Sequence, residues 1–461
     1  MWGIVLNRQS TVPVKRQIYT ALKEQMITGR LQENEALPST RELAAALAVS
    51  RSTVCEAYDM LIAEGFALTH QGAPTRVAPG LAINKALQDK TPKPPQSLRT
   101  YTADFMTGQP DLRYLPRRAF EQSLKKAAED LPITALGYTG PQGMPQLREE
   151  IAAWLYRSRG ICADADDIYI TAGATHALHL IAELFYSGNS NIIIEDPCHT
   201  GMLKTFLNKG CVPVPIPVDG QGMCVEELKT LPGAPVYVTP SHQFPLGGIL
   251  PAARRAALIR FAQENGSYIV EDDYDSEFRY CGEPIAPLLA MDPERVIYVG
   301  TFSKILYPAL RIGFVILPYA LQKRWRSLRT YADVQNPVFE QAALADFLHT
   351  RKLDRHLQKM RKLYDERRRI LLQSLHDAFG EKWRPWGDAA GLHMAVQFEG
   401  RCFDKLFEEE AGARGIRVVP VSRHCIAEGT HDDKLLLGYG HMEPEEIMQG
   451  IALLHNVLER Q

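Results

Sequence analysis

Apolar residues recur at helical spacing along the first 65 residues and predict three helices. The first helix covers residues 14–29, where Gly29 marks its end. Three apolar side chains fall on one face of it: Ile18, Leu22 and Met26. A second helix begins at Ser39, because Ser39 and Glu42 stand in the spacing of a capping box.

A third helix and a short hairpin complete this region. Ser50 is placed to cap the third helix, and one face of it carries Val54, Tyr58 and Leu61. Two short strands follow, over residues 66–69 and 75–77, around a turn that contains Gly72. Three helices and a hairpin predict a winged helix-turn-helix domain over residues 1–80.

The next segment interrupts the pattern. Residues 81–102 include a proline-rich polar run, which favours neither a helix nor a strand. We therefore predict a linker over 81–102, stiffened locally by its prolines.

From residue 103 onward the pattern becomes α/β. Short apolar, β-branched runs alternate with helical stretches, which predicts a largely parallel sheet buried on both faces. The predicted strands are Ile168–Thr171, Asn191–Ile194, Val236–Thr239, Tyr268–Val270, Val296–Val299 and Ile312–Leu317. We assign residues 103–461 to one large domain with a smaller C-terminal lobe over roughly 320–461, which includes a helix at Asp365–Leu375 and a strand at Leu392–Phe398.

Charge and cysteine usage narrow the class of protein. The chain has 461 residues and a net charge of −2, so bulk charge gives no attraction to nucleic acid. Residues 1–80 hold 8 Lys and Arg against 7 Asp and Glu, and any DNA contact must come from a local patch. The eight cysteines form no C-x-x-C pair, so we expect neither a metal site nor a disulfide framework. Scattered thiols, and the lack of a signal-peptide pattern or an apolar run of membrane length, predict a cytoplasmic protein that does not bind a membrane.

The predicted second and third helices carry polar residues where a DNA-reading unit needs them. A recognition helix presents polar side chains at its N-terminal end to the major groove of double-stranded DNA. The candidate DNA-binding residues are Ser39, Arg41, Arg51, Ser52, Thr53 and, in the wing, Gly72.

This pattern resembles the winged-helix domain of GntR-type bacterial regulators over roughly residues 12–78. The matching residues are Leu37-Pro38-Ser39-x-Arg41-x-Leu43-Ala44, Ser50-Arg51-x-Thr53-Val54, Ala57-Tyr58, Leu61 and Ala63-Glu64-Gly65. The wing departs from the usual Gly-x-Gly-Thr and reads Gly72-Ala73-Pro74-Thr75. The alternative interpretation is a small helical domain that serves only protein contacts.

Residues downstream match the needs of pyridoxal phosphate. The cofactor needs an amine for an imine with its aldehyde, an acid for its ring nitrogen and a donor for its ring hydroxyl oxygen. Lys304 supplies the amine, Asp272 at the end of a buried strand supplies the acid, and Tyr274 is the candidate donor.

The phosphate of the cofactor needs cations, hydroxyls and backbone amides. The candidates are Thr301, Ser303 and Arg311, together with the turn Gly173-Ala174-Thr175. That turn follows one predicted strand and opens a helix, which is a ready anion site.

The order of these residues resembles fold-type I aminotransferases over roughly residues 103–461. Further matching pieces are Phe105, Gly108, Pro110-Asp111, Gly137-Tyr138, Gly143, Leu147-Arg148, Ser241–Gly247 and Ala390–His393. Together with the N-terminal match, the chain resembles MocR-type regulators, the GntR subgroup with an aminotransferase-like effector domain. The resemblance implies a homodimer on DNA, and it implies that Tyr138 reaches the cofactor phosphate of the partner.

Two positions depart from the aminotransferase pattern. Pro197-Cys198-His199 stands where Pro-x-Tyr is usual, which puts the imidazole of His199 where an aromatic ring stacks on the cofactor. Leu436 stands where an arginine normally grips the substrate carboxylate, and Arg423 and Lys434 are nearby in sequence.

The leading hypothesis is therefore a regulator that senses pyridoxal phosphate itself, or an amine or amino acid that reacts with it, with little turnover. An aminotransferase that carries an accessory winged helix is the main alternative. A constitutive DNA-binding protein whose large domain only dimerises is a third, and it leaves the retained Lys304 and Asp272 unexplained.

Overall fold

The protein consists of two compact units. The structure, a computed structural model, describes residues 3–70, 72–81, 100–186, 188, 190–282 and 285–460. The units are Met1–Leu98 and Arg99–Gln461. Most of the linker predicted over 81–102 lies outside the described residues.

The N-terminal unit has the predicted helices and hairpin. Its elements are α1 (Val14–Ile27), α2 (Thr40–Leu47), α3 (Arg51–Ala63), β1 (Ala67–Leu68) and β2 (Arg76–Val77). The predicted apolar faces pack together, and Ile18, Leu22, Leu43, Val54 and Leu61 are fully buried. The strands pair antiparallel with Ala67 opposite Val77, so the winged helix-turn-helix prediction is confirmed.

Both predicted helix caps are present. Glu42 N–H donates to Ser39 Oγ at 3.2 Å, and Ser39 N–H donates to Glu42 Oε2 at 2.9 Å. Thr53 N–H donates to Ser50 Oγ at 3.1 Å. These bonds satisfy backbone amides that a helix start would otherwise leave unpaired, and so they fix where α2 and α3 begin.

The large unit alternates strands and helices along the chain. Its first half contains β3 (Ala103–Asp104), α4 (Arg117–Asp130), α5 (Pro145–Arg159), β4 (Ile168–Thr171), α6 (Ala174–Phe185), β5 (Asn191–Asp196), α7 (Thr200–Asn208), β6 (Val212–Asp219), β7 (Gly222–Met223), β8 (Val236–Val238) and α8 (Ala252–Glu264). Its second half contains β9 (Ile269–Asp273), β10 (Val296–Thr301), β11 (Gly313–Ile316), α9 (Tyr319–Ala332), α10 (Val338–His349), α11 (Lys352–Phe379), β12 (Arg384–Trp386), β13 (His393–Gln397), α12 (Lys405–Ala413), β14 (Ile416–Arg417), β15 (Val419–Pro420), β16 (Lys434–Gly438) and α13 (Pro444–Leu458).

The main sheet has eight strands in the order β4-β11-β10-β9-β8-β5-β6-β7. The strands from β10 to β6 run parallel to one another, while β11 is antiparallel to both of its neighbours. Two apolar cores cover the faces of this sheet, as its near-continuous apolar strands require. All six predicted strands are present, with bounds that differ by at most three residues at an end.

Two strands of the main sheet escaped the sequence prediction. β6 carries prolines at 213, 215 and 217, which argue against a central strand. The structure places β6 beside β5 on one side and only the two-residue β7 on the other. Its prolines are therefore tolerated close to the edge of the sheet.

A second, antiparallel sheet lies in the C-terminal part, in the order β12-β13-β16-β15. The predicted strand over 392–398 is β13, and the predicted helix over 365–375 lies inside the longer α11. Among the described residues, no helix combines the length and apolar character that crossing a membrane requires.

Candidate functional site

A cavity of about 240 Å³ opens where several strands of the main sheet end. Parallel strands bring their carboxyl ends to one edge, where ligands of α/β folds usually bind. Nine of the predicted cofactor residues line this cavity: Ala174, Thr175, His199, Asp272, Tyr274, Thr301, Ser303, Lys304 and Arg311.

Lys304 lies in the turn after β10 and has its amine inside the cavity. Its Nζ donates to the carbonyl oxygen of Gly108 at 2.5 Å. A Cβ at Gly108 would lie 2.6 Å from Nζ, so a side chain there would displace the amine, and the φ of +69° also favours glycine. Burial lowers the pKa of Lys304, although Asp275 and Asp272 act in the opposite direction. The amine is therefore more often neutral and nucleophilic than that of a surface lysine.

Asp272 lies on β9 and is buried in the same cavity. The hydroxyl of Tyr237, on β8, donates to Asp272 Oδ2 at 2.8 Å. The other oxygen, Oδ1, is buried and has no hydrogen-bond partner. Burial raises the pKa of Asp272 to about 7, against the hydrogen bond from Tyr237, which lowers it. An unpartnered buried acid fits a protonated ring nitrogen, which would satisfy Oδ1 and restore its charge.

Tyr274 is held by a buried histidine. Its hydroxyl donates to the carbonyl oxygen of His242 at 3.0 Å and lies 3.1 Å from His242 Nδ1. Asp275 lies 3.1 Å from the same nitrogen. Burial alone would lower the pKa of His242, but Asp275 outweighs it and the pKa is raised. This chain of contacts fixes the phenol at the cavity wall.

His242 and Asp275 also meet His393, a further residue of the cavity wall. One ligand atom from each of the three lies within 4.8 Å of the others, which makes them a candidate metal-ligating group. The sequence analysis predicts no metal site. That prediction is based on the spacing of the cysteines and does not take into account histidines that are far apart in sequence.

The predicted phosphate residues form a cradle at the start of α6. Arg311 Nη2 donates to the carbonyl oxygen of Ala172 at 2.5 Å. A Cβ at Gly173 would lie 2.9 Å from the same nitrogen, and Gly173 has a φ of +84°, so this turn requires glycine. Thr301 Oγ1 donates to Ser303 Oγ at 3.1 Å on the facing turn. Hydroxyls, a guanidinium and the free amides of a helix start suit a phosphate.

His199 caps α7 and lies at the cavity wall. Its Nδ1 accepts from Gly201 N–H at 3.1 Å, which fixes the ring. The ring centroid lies 5.1 Å from that of Phe244. An imidazole therefore occupies the position where the sequence predicted a stacking group.

Two predicted cofactor residues are outside the lining of the cavity: Gly173, which directly precedes the lining residue Ala174, and Tyr138. The side chain of Tyr138 is 89% exposed. The neighbouring backbone is fixed by Gln335, whose amide accepts from Thr139 N–H at 2.7 Å and donates to the carbonyl oxygen of Gly137 at 3.1 Å. The exposed side chain of Tyr138 therefore does not contact the cavity of its own chain.

Leu436 is fully buried on β16, in a small apolar cluster with Phe244 and Leu246. The two nearby cations do not replace the missing arginine. Arg423 makes a bidentate pair with Glu408 at 2.6 and 2.5 Å. Lys434 Nζ lies 2.7 Å from Asp433 and over the ring of Trp386. Among the described residues that line the cavity, the lysine and arginine side chains are those of Lys304 and Arg311.

The candidate DNA-binding residues lie together at the surface of the N-terminal unit. Thr53 is partly exposed. The other five are exposed: Ser39, Arg41, Arg51, Ser52 and Gly72. Ser39 and Ser50 cap the two helices, and Arg51 Nε donates to Thr40 Oγ1 at 3.2 Å across the turn between them. The start of α3 carries no acidic residue, so it attracts phosphates and base acceptors.

Sequence reasoning missed several residues of the cavity wall. Tyr237 supports Asp272, and Gly108 receives the amine of Lys304. The sequence analysis identifies Gly108 and His393 only as positions that match the aminotransferase pattern and assigns no role to them. The contact from Tyr237 depends on the pairing of β8 with β9, which the sequence did not reveal.

Comparisons with known families agree with both units. Residues 14–77 match the gntR family of bacterial regulatory proteins, and residues 82–433 match aminotransferase class I and II. Members of the second family bind pyridoxal phosphate. The chain therefore belongs to a class of regulators in which a winged-helix domain is joined to an aminotransferase-type domain.

Several transcriptional regulators match this chain along nearly its whole length. The HTH-type transcriptional regulator YdeL of Bacillus subtilis is 34% identical, over 97% of each chain. The probable rhizopine catabolism regulatory protein MocR of Rhizobium meliloti is 30% identical over 98% of this chain and 95% of its own. The pyridoxine biosynthesis regulator PdxR of Corynebacterium glutamicum is 31% identical over 97% of each. This chain belongs to the MocR-type transcriptional regulators of the GntR family.

A solved structure supports the fold of the large unit. The kynurenine aminotransferase of Pyrococcus horikoshii, in complex with PMP, is 28% identical with a TM-score of 0.72, over 79% of this chain and 92% of its own. The prediction of a fold-type I aminotransferase-like domain is confirmed.

Proposed function

We propose that this transcriptional regulator holds pyridoxal 5'-phosphate in the cavity of its large unit and that the cofactor, or an amine that reacts with it, sets its affinity for operator DNA. One observation carries the proposal: the unpartnered Oδ1 of Asp272 and the buried amine of Lys304 lie in the same cavity. A buried acid with an unpaired oxygen, beside a buried lysine, lowers the stability of the fold unless a ligand pairs with these groups.

Each residue has one task toward the cofactor. Asp272 holds the proton on the ring nitrogen, and Tyr237 holds Asp272 in place. Tyr274 would donate to the ring hydroxyl oxygen, and His199 would pack against the ring. The phosphate lies in a cradle formed by six residues: Gly173, Ala174, Thr175, Thr301, Ser303 and Arg311. When bound, the cofactor supplies an aldehyde for amines and a ring that accepts electrons.

Burial lowers the pKa of the Lys304 amine, which would favour its covalent bond to the cofactor aldehyde. Amines from solution compete for the same carbon. The regulator is therefore able to respond to an amine as well as to the cofactor itself.

Turnover of common amino acids is slow in this proposal. A substrate carboxylate needs a positioned cation, and Leu436 supplies none. The effector is thus the cofactor or an amine without the usual α-carboxylate. Release of a keto acid at enzyme-like rates would favour the aminotransferase alternative, which the intact Lys304 and Asp272 keep open.

The signal reaches DNA by linkage. If the ligand prefers one arrangement of the protein, DNA affinity changes by the difference in its affinity for the two arrangements. A regulator of this kind acts on the chromosome in the cytoplasm. The domain boundaries we propose are 1–80, a linker over 81–102, and 103–461.

We also propose that the protein acts as a homodimer through the surface around Tyr138. Exposed apolar side chains cluster there: Ile133 at 87%, Leu136 at 51% and Tyr138 at 89% exposed. Gln335 joins this turn to a second exposed stretch, which carries Tyr331, Val334 and Phe339. Exposed apolar side chains on two joined turns favour an interface, and in the proposed dimer each Tyr138 would reach the cavity of the partner.

The test of the cofactor site is spectroscopic. Cofactor-free protein is titrated with pyridoxal phosphate, and the visible band of the lysine adduct is recorded. We expect the band in the natural protein and in a Lys323→Ala control, because Lys323 is an exposed lysine on α9. Lys304→Ala should lack the band while it remains folded by circular dichroism. A band that survives Lys304→Ala would refute the assignment.

A further inference from the structure

A second cavity adjoins the segment that carries the cofactor residues. Asp272 and Tyr274 line the cofactor cavity, while Ser276 and Glu277 line a separate cavity of about 200 Å³. We call this second cavity the arginine cavity, because it is lined by three arginines together with Ser241, Ser276 and Glu277; the arginines are Arg159, Arg279 and Arg361.

The arginine cavity carries an excess of positive charge. Three guanidinium groups line it, and among the described lining residues Glu277 carries the carboxylate. Burial raises the pKa of Glu277 to about 7, so its negative charge is incomplete near neutral pH. Asp273, just behind the wall, is already paired with Arg159 at 2.8 Å and also accepts from the hydroxyl of Tyr298. Among the described residues, the structure shows an ion pair for Arg159 and none for Arg279 or Arg361.

Two buried donors of the wall lack partners. Arg159 ends α5, and its side chain is only 6% exposed. Its Nε has no hydrogen-bond partner, and neither does Ser276 Oγ. An unpaired buried donor is costly, so these atoms indicate a ligand with oxygen acceptors.

The other two arginines are positioned by backbone carbonyl groups. Arg361, on α11, donates through Nε and Nη2 to the carbonyl oxygen of Glu277 at 3.0 and 2.9 Å. Arg279 Nε donates to the carbonyl oxygen of Gly282 at 3.4 Å. Neutral carbonyl oxygens orient these guanidinium groups but leave their charges unbalanced.

We propose that the arginine cavity is a binding site for a small oxyanion, a phosphate or a short dicarboxylate. Guanidinium groups recognise both through paired N–H donors, and the serines add hydroxyl donors. The cavity is slightly smaller than the cofactor cavity, which suits a small ligand. A ligand there contacts the same 272–277 segment that holds the cofactor residues.

The test measures anion binding to purified full-length protein without cofactor. Calorimetric titrations with inorganic phosphate and with succinate are run at constant ionic strength, with chloride as the balancing anion. The cradle around Arg311 also suits phosphate, so the titrations use an Arg311→Gln background. Binding to the arginine cavity then does not depend on whether the cofactor proposal holds.

We expect one equivalent of phosphate or succinate to bind, and the tighter of the two identifies the ligand class. Adding Arg361→Gln should weaken binding at least about tenfold. Arg279→Gln is a second variant that should have the same effect. The matched control is Arg369→Gln on the same helix, because the Arg369 side chain is 68% exposed and pairs only with Asp365 among the described residues.

Three outcomes would overturn the proposal. Neither anion binds to the Arg311→Gln protein, or binding persists unchanged in both Arg361→Gln and Arg279→Gln, or Arg369→Gln weakens it equally. Melting curves of each variant show that a loss of binding is not a loss of fold.

Discussion

The hydroxyl of Tyr237 donates to Asp272 Oδ2 at 2.8 Å, and it leaves Asp272 Oδ1 buried without a partner. The two residues lie on the neighbouring parallel strands β8 and β9. The tyrosine thus fixes the orientation of the carboxylate, and the free oxygen remains for a ligand in the cavity.

This relationship predicts the effect of Tyr237→Phe on the cofactor. Loss of the hydroxyl removes one hydrogen bond to a charged group, worth about 1.5–3 kcal/mol. We expect the affinity for pyridoxal phosphate to fall about tenfold or more in an absorbance titration. Tyr319→Phe is the control, because Tyr319 is 88% exposed. Equal affinity of Tyr237→Phe and the natural protein would show that Tyr237 does not support the site.

The raised pKa of Asp272 predicts a pH dependence of stability in the cofactor-free protein. The pKa rises from 3.8 to about 7 on folding, which corresponds to a cost of about 4 kcal/mol above pH 7. Below pH 3.8 the carboxyl is protonated in both states, and the cost is absent. Between these values the unfolded chain ionises first, so this contribution to stability falls as pH rises.

Asp272→Asn removes the ionisable group and is the test. The melting temperature of the cofactor-free variant should exceed that of the natural protein at pH 8, and the difference should shrink toward pH 4. Asp388→Asn, at a carboxylate whose side chain is 39% exposed, is the comparison. A difference between Asp272→Asn and the natural protein that does not change with pH would contradict the account.

The sequence predicted most of the fold because short apolar, β-branched runs are typical of strands buried on both faces. These runs became β4, β5 and β8–β11. Lys304, Asp272 and Arg311, which the sequence assigns to one site, line one cavity in the structure. The sequence analysis missed β6 because alternating prolines resemble a loop. It also missed Tyr237, since a contact between strands depends on a register that no local pattern encodes.

The start of α3 predicts which arginine reads DNA. Arg51 is exposed at the first turn of the helix and has no acidic neighbour there. Arg51→Ala should weaken operator binding by about 1–3 kcal/mol if it contacts a base, or should reduce the salt dependence by about one phosphate contact. Arg30→Ala, at an exposed position after α1, is the control. Operator affinity that Arg51→Ala leaves unchanged at every salt concentration would place the DNA contact elsewhere.

The apolar patch predicts the oligomeric state. Ile133→Glu places a charge in the proposed interface, and we expect a shift from dimer toward monomer in sedimentation analysis. Leu406→Glu is the matched control, because Leu406 is 72% exposed and lies on α12, far in sequence from the turn over 133–138. A dimer that tolerates Ile133→Glu and not Leu406→Glu would relocate the interface.

Mixed dimers test whether Tyr138 serves the cavity of the partner. Subunits with Tyr138→Ala and subunits with Arg311→Gln are mixed after each is shown to bind the cofactor weakly. If Tyr138 acts across the interface, a mixed dimer has one doubly altered site and one natural site. Recovery of about half of the tight binding capacity in the mixed dimers is expected, and no recovery would assign Tyr138 to another role.

The central claim is that the cofactor cavity controls DNA binding, and one titration tests it most directly. The natural protein and Lys304→Ala are titrated onto the DNA upstream of the gene at fixed salt, with and without pyridoxal phosphate. We predict specific binding whose affinity changes with the cofactor in the natural protein and does not change in Lys304→Ala. Two results would contradict the account. One is a change in DNA affinity on cofactor addition that is equally large in Lys304→Ala. The other is a DNA affinity that changes neither with the cofactor nor with amines that react with it.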